Sequence, residues 1–121
     1  MHICGKTAQI WEAMTDTGAD CLSIDNAADL EAAKVKVGHH VRLMGNVPPS
    51  EIMLQGTPAQ VREAVRVCVR KAYNNPKGLI VASGCSLPVE PPFANIDAML
   101  DAVREIGWPV DADELETELA A

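Results

Sequence analysis

Short apolar runs alternate with stretches of helical periodicity four times along the chain, the pattern of β/α units around a parallel sheet. The first strand is predicted at Met1–Gly5. Thr7 then caps a helix over Ala8–Thr17 that places Ile10, Ala13 and Met14 on one face, and Gly18 ends it. A second strand, Cys21–Asp25, leads to a helix over Ala27–Val37 with Leu30, Ala33 and Val37 at helical spacing and Gly38 as its stop. The third strand is Val41–Val47; Pro48-Pro49 forbids its continuation, because proline has no N–H for the ladder. A short helical turn over Ser50–Leu54 follows.

The most secure helix start is Thr57-Pro58-Ala59-Gln60, which sets a capping threonine, a proline at the first helical position and a glutamine at the third. From there Val61, Val65, Cys68 and Ala72 form one stripe of a helix reaching Tyr73, while Arg62, Glu63, Arg66 and Arg70 face water. The fourth strand is Gly78–Ser83, ending in Gly84-Cys85. Pro88, Pro91 and Pro92 stiffen the next loop, and Ile96, Met99, Leu100 and Val103 mark a helix from Ala94 to Ile106. Residues 109–121 form an acidic tail, whose run Asp111–Glu118 reads as solvated and adds one more turn or two of helix from Asp111 onward.

With 121 residues the chain has room for about one domain and is too short for a complete eight-stranded barrel enzyme, which takes on the order of 250 residues. A 48% hydrophobic and 22% charged composition without an apolar run of about 18 residues predicts a packed core and no membrane span. Ten basic against seventeen acidic residues give a net charge of −7, which repels a phosphate backbone and argues against nucleic acid as a partner. The four aromatics, Trp11, Tyr73, Phe93 and Trp108, offer no platform for stacking bases. Four cysteines without a secretory leader fit a reducing cytoplasm, where thiols serve as metal ligands, catalytic groups or core residues. The chain begins as though inside a strand and reads as a piece of something longer.

Parallel β/α sheets place ligands at the carboxyl ends of their strands. The polar residues collect there: His2 and Cys4 on the first strand, Ser23, Asp25 and Asn26 on the second, Asn46 on the third, Ser83 and Cys85 on the fourth. Side chains two apart on a strand share a face, so His2 and Cys4 can converge on one ion, and Cys85 joins them only if the sheet curls. One imidazole and two thiolates are donors that zinc prefers, and three protein ligands leave a fourth position open. The spacing by itself leaves metal binding and simple burial both open. Asp25 and Asn46 are the candidate catalytic residues, with capping and turn roles as their structural alternatives. Cys68 and Cys21 are expected in the core or barrel interior, and His39-His40 at the surface of the opposite rim.

The segments His2-Ile3-Cys4-Gly5, Gly18-Ala19-Asp20, Leu22-Ser23-Ile24-Asp25, Met44-Gly45-Asn46-Val47 and Ser83-Gly84-Cys85-Ser86-Leu87-Pro88 together resemble the uroporphyrinogen decarboxylase superfamily. Within it the chain resembles the corrinoid-dependent branch that includes methylcobalamin:coenzyme M methyltransferases. The resemblance implies the carboxyl-terminal half of a TIM (β/α)8 barrel, and a zinc motif carried by His2, Cys4 and Cys85. It also implies transfer of a methyl group from methylcobalamin, delivered on a corrinoid protein, to a small thiol such as coenzyme M that zinc holds as a thiolate. Two positions depart from the family pattern: Pro48 stands where an aspartate is usual, and Ser86 where an acidic residue is frequent. Half a barrel leaves open sheet edges, so a homodimer or association with the missing half is expected. The alternatives are a non-catalytic half-barrel or interaction module and, more weakly, a uroporphyrinogen decarboxylase-like protein.

Overall fold

The computed structural model describes residues 1–120. Its centre is a parallel sheet of three strands, β1 (Cys21–Ser23), β2 (Arg42–Val47) and β3 (Leu79–Ser83), in that spatial order. Ser23 pairs with Met44 and Val47 with Ser83, so the carboxyl ends of the strands lie along one rim. Among the described residues five α-helices accompany the sheet: α1 (Trp11–Asp16), α2 (Leu30–Val37), α3 (Pro58–Ala72), α4 (Phe93–Ile106) and α5 (Ala112–Ala120). Residues Pro49–Leu54 form a wide π-type turn between β2 and α3.

Burial alternates along the strands. Leu22, Leu43 and Val47 are fully buried, whereas Cys21, Ser23 and Met44 are half-buried on the other face. The core forms where the buried face meets Leu30, Ala33 and Val37 of α2 and Val61, Val65, Cys68, Val69 and Ala72 of α3. Each fully buried Leu or Val there contributes about 1.5–3 kcal/mol. The capping box at Thr57 is formed in full: its hydroxyl accepts from Gln60 N at 3.3 Å and Gln60 Oε1 accepts from Thr57 N at 2.9 Å.

Several boundaries differ from the sequence expectation, each for a local reason. The first strand is reduced to a single parallel bridge between His2 and Ser23. Gly5 then turns the chain away at φ +86°, and the Asp25 carboxylate takes its N–H in place of a ladder partner. Helix α1 starts at Trp11, and Trp11 with Met14 is buried while Ile10 and Ala13 are exposed. Thr7 does not cap α1; it is buried and accepts the indole N–H of Trp11 at 2.9 Å, which lets the largest side chain enter the core with its polar atom paired. Helix α2 starts at Leu30, because Asp29 is its N-cap, accepting from Ala32 N at 3.0 Å, and residues 25–28 form a turn.

Helix α4 is rotated from the expected stripe. Asn95, Ala98 and Ala102 are buried, Ile96 and Met99 pack at the margin, and Leu100 and Val103 are exposed. The small alanines allow close approach, and Asn95 Nδ2 donates to Met53 O at 3.0 Å and to Gly56 O at 2.8 Å, satisfying carbonyls of the preceding turn. The acidic segment is not a solvated tail. Asp111 caps α5 by accepting from Asp113 N and Glu114 N, Leu115 is buried, and Glu118 pairs with Arg66 of α3 at 2.7 Å. Among the described residues no helix is long and apolar enough to cross a membrane.

Candidate metal centre

At the carboxyl rim, donor atoms of His2, Cys4, Asp25 and Cys85 all lie within 4.8 Å of one another. Cys4 Sγ is 3.4 Å from His2 Nε2 and 3.5 Å from Cys85 Sγ. A tetrahedral zinc, with Zn–S of about 2.3 Å and Zn–N of about 2.0–2.1 Å, spaces two sulfurs by roughly 3.8 Å and a sulfur from a nitrogen by roughly 3.5 Å. The donor set and its spacing fit such an ion. His2 and Cys4 are exposed and Cys85 is half-buried, so the cluster opens towards the uncovered side.

His2 and Cys85 are each anchored by hydrogen bonds at a different strand end. His2 Nδ1 lies 3.1 Å from Ser23 O and 3.0 Å from Ser23 Oγ. A carbonyl oxygen can only accept, so Nδ1 is the donor here and Nε2 is the ring atom that faces Cys4. Cys85 follows the end of β3, where Ser83 Oγ donates to Cys85 O at 2.6 Å and Gly84 N donates to Val47 O at 2.8 Å. The sheet curls enough for the last strand to bring its cysteine back to the first.

Asp25 stands beneath the thiols and is buried. Its Oδ1 accepts from Ala27 N and its Oδ2 from Gly5 N, both at 2.8 Å. Burial pushes the carboxyl upward, but the two N–H donors and the nearby His2 outweigh it and hold Asp25 below the ordinary carboxylate value. Hydrogen bonding to Cys85 and the proximity of that thiol raise Cys4, with smaller contributions from desolvation and Asp25. A bound cation reverses this, since a coordinating thiol loses its proton outright.

Asn46 is not part of the cluster. Its Nδ2 donates to Ala28 O at 2.9 Å and to Asp25 O at 3.4 Å, and Cys68 Sγ lies 3.7 Å from its Oδ1, so the side chain faces α3. It lines a groove of about 580 Å³ between the turn that precedes α2 and α3, with Ala28, Ile52, Gln60 and Cys68. Cys68 is buried, which raises its thiol, and desolvation likewise raises that of Cys21. His39 and His40 are exposed. Two contributions to the site were not read from the sequence. Gly5 supplies an N–H to Asp25, and Gly84 packs so tightly that an added Cβ would lie 2.6 Å from Asn26 N. The only sequence signal for either is a glycine next to a cysteine, at Cys4-Gly5 and Gly84-Cys85.

Known proteins resemble the chain over most of its length. A uroporphyrinogen decarboxylase of Psychromonas ingrahamii is 34% identical over 98 residues, covering 81% of this chain and 27% of the relative. A methylcobamide:CoM methyltransferase of Methanosarcina acetivorans is 31% identical over 104 residues, covering 86% of this chain and 29% of the relative. Among solved structures, a methyltransferase from Methanosarcina mazei superposes with a TM-score of 0.77 at 25% identity, over 87% of this chain and 30% of the other. The chain thus spans less than a third of the length of these proteins, and its α/β fold matches part of a TIM-barrel methyltransferase. The uroporphyrinogen decarboxylase (URO-D) family profile matches residues 1–106, and the chain belongs to that family.

Proposed function

We propose that this chain carries the thiol-activating part of a zinc-dependent methyltransferase that moves a methyl group from a methylated corrinoid to a thiol. The observation that supports this reading is the convergence of His2, Cys4 and Cys85, with Asp25 beside them, whose donor atoms all lie within 4.8 Å of one another. His2, Cys4 and Cys85 would hold the ion; a zinc ion there would stabilise an acceptor thiol as its thiolate near neutral pH, far below the ordinary thiol pKa of about 8.5. Two thiolates and a neutral imidazole cancel the ion's charge, so an anionic acceptor sulfur meets no excess negative charge. Asp25, with both oxygens already accepting N–H groups, anchors the Cys4 loop. The names of the methanosarcinal relatives, methylcobamide:CoM methyltransferase and methylated-thiol–coenzyme M methyltransferase, support a corrinoid donor and coenzyme M as acceptor.

Residues 1–121 form in this reading the last four β/α units of a barrel, working in a reducing cytoplasm with a corrinoid protein. The uncovered sheet face, where Ile80 is 41% exposed, is closed by a second copy or by the rest of the barrel. Light scattering on the eluting peak tests this closure, and a monomer at micromolar concentration counts against self-association.

Zinc content after purification, compared between the parent, Cys4→Ala and Cys85→Ala, tests the ligands. The parent is expected to hold one zinc per chain and each variant much less; unchanged zinc in both variants overturns the assignment. Demethylation of methylcobalamin in the presence of coenzyme M then reads the activity. A second reading is a non-catalytic module that keeps the fold and the metal. Zinc-loaded protein without methyl transfer selects it. Decarboxylation of uroporphyrinogen, the activity stated in the name of the 34% identical relative, is the weaker reading, because a paired thiol and imidazole site suits a soft metal ion.

A further inference from the structure

Both cysteines of the cluster rest on a single short turn. On one side, the Asp25 carboxylate receives Gly5 N at 2.8 Å and so fixes the backbone immediately after Cys4. On the other, Gly84 lies against Asn26 so closely that an added Cβ would fall 2.6 Å from Asn26 N and 2.8 Å from Asn26 Cβ, which fixes the backbone immediately before Cys85. The turn itself is closed by Ala28 N donating to Asp25 O at 3.0 Å and by Ala27 N donating to Asp25 Oδ1 at 2.8 Å. Behind it stands Asn46, whose Nδ2 reaches Ala28 O at 2.9 Å and Asp25 O at 3.4 Å, while the Cys68 thiol approaches its Oδ1 at 3.7 Å from α3.

We propose that Asn46 is a positioning residue: it clamps the turn 25–28 from the side of α3, and that turn sets the separation of Cys4 and Cys85. The inference rests on the metal reading of the cluster and deepens it. The physical reason is indexing. Two ligands 81 residues apart in sequence keep a 3.5 Å spacing only if their backbones share a rigid reference, and a four-residue turn has none unless its outward carbonyls are held. The Asn46 amide supplies two donors to carbonyls that would otherwise let the turn relax into the groove beside α3. Its partner Cys68 orients the amide, because only Oδ1 can accept from a thiol and Nδ2 is then turned to the carbonyls.

The test compares Asn46→Ala with Asn75→Ala in the full chain. Asn75, a buried asparagine, likewise bridges two carbonyls, donating to Val41 O at 3.2 Å and Gly78 O at 2.9 Å, and it lies at the opposite end of the sheet from the half-buried Asn46. Cobalt(II) replaces zinc as the probe, since its thiolate charge-transfer and ligand-field absorption report ligand geometry directly. Asn46→Ala is expected to weaken cobalt binding about 10–100-fold and to shift these bands, the usual cost of losing an outer partner, while Asn75→Ala leaves both unchanged. Parent-like affinity and bands in Asn46→Ala, or equal losses in the two variants, overturn the proposal. Should Asn46→Ala fail to fold, Gly84→Ala presses on the same turn from the Cys85 side and carries the same expectation.

A parent that binds no cobalt overturns the metal reading instead, and the spacing remains measurable without a metal. Phenylarsine oxide bridges two close thiols, and Cys4 and Cys85 are expected to be captured together in the parent and at least several-fold more slowly in Asn46→Ala. Equal capture in both overturns the positioning role whatever the fate of the metal.

Discussion

Lys71, in the last turn of α3, donates to Asp29 Oδ1 at 2.7 Å, so the carboxyl end of one helix holds the N-cap of another. Both helix dipoles favour the arrangement, with the cation near a C-terminus and the carboxylate at an N-terminus. The Lys71 ammonium is the main cause that holds Asp29 below the ordinary carboxylate value, helped by the N–H of Ala32, while partial burial opposes it.

A depressed carboxyl contributes stability that is present above the unfolded-state value and is lost as pH falls through the folded-state value. Lys71→Met is therefore expected to lower stability at neutral pH by roughly 0.2–1 kcal/mol, the range for half-exposed pairs. The gap between parent and variant should hold down to the ordinary value of 3.8, then close as Asp29 protonates in the folded state. Urea midpoints measured from pH 7 to pH 2.5 check this; a gap that widens on acidification contradicts it.

Gly45 occupies a conformation that only glycine adopts easily. Its φ is +138°, and an added Cβ would lie 2.7 Å from Ile24 O, a rigid backbone atom. Gly45→Ala is expected to cost on the order of 2–4 kcal/mol by combining backbone strain with a clash that no rotamer relieves. Thermal unfolding reads the loss, and a variant within 0.5 kcal/mol or so of the parent would show that β2 shifts at little cost.

Removal of the metal should be visible in the thiols. Cys4 is exposed and Cys85 half-buried, whereas Cys68 is buried. A disulfide reagent is expected to modify Cys4 and Cys85 rapidly after chelation and slowly in the zinc-loaded chain, with Cys68 slow in both states. Peptide mapping of the modified sites distinguishes the positions; equal rates with and without chelator contradict ligation.

Leu115 is the buried anchor of α5. Leu115→Ala should destabilise the protein by about 2–3 kcal/mol, at the low end for buried leucine because the helix is peripheral and can collapse onto the gap. Glu118→Gln, which removes only the exposed pair with Arg66, should change stability by less than about 1 kcal/mol. Equal effects would mean that charge, and not burial, docks α5.

Periodicity and turn chemistry are local, and the elements they govern were legible in the chain. The stripe Val61, Val65, Cys68 and Ala72 and the Thr57–Gln60 capping box are found where their spacing puts them. Where a rotation or a boundary depended on a distant partner, the reading failed. Leu100 and Val103 outrank Asn95 in hydropathy, yet Asn95 is buried because Met53 O and Gly56 O need its donors. Thr7 had the form of a cap, and the indole of Trp11 claimed it.

The same division holds at the rim. Residue types and strand-end positions, together with the resemblance, marked His2, Cys4, Asp25, Asn46 and Cys85 from the sequence alone, because parallel strands deliver their polar ends to one edge. Only the tertiary structure decided which of them meet. The sheet's curl carries Cys85 to within 3.5 Å of Cys4, while Asn46 turns to the helical side. Spacing along a chain specifies the face of one element, but distances between elements are set by backbone packing, here by two glycines, one turn and the side chains behind it.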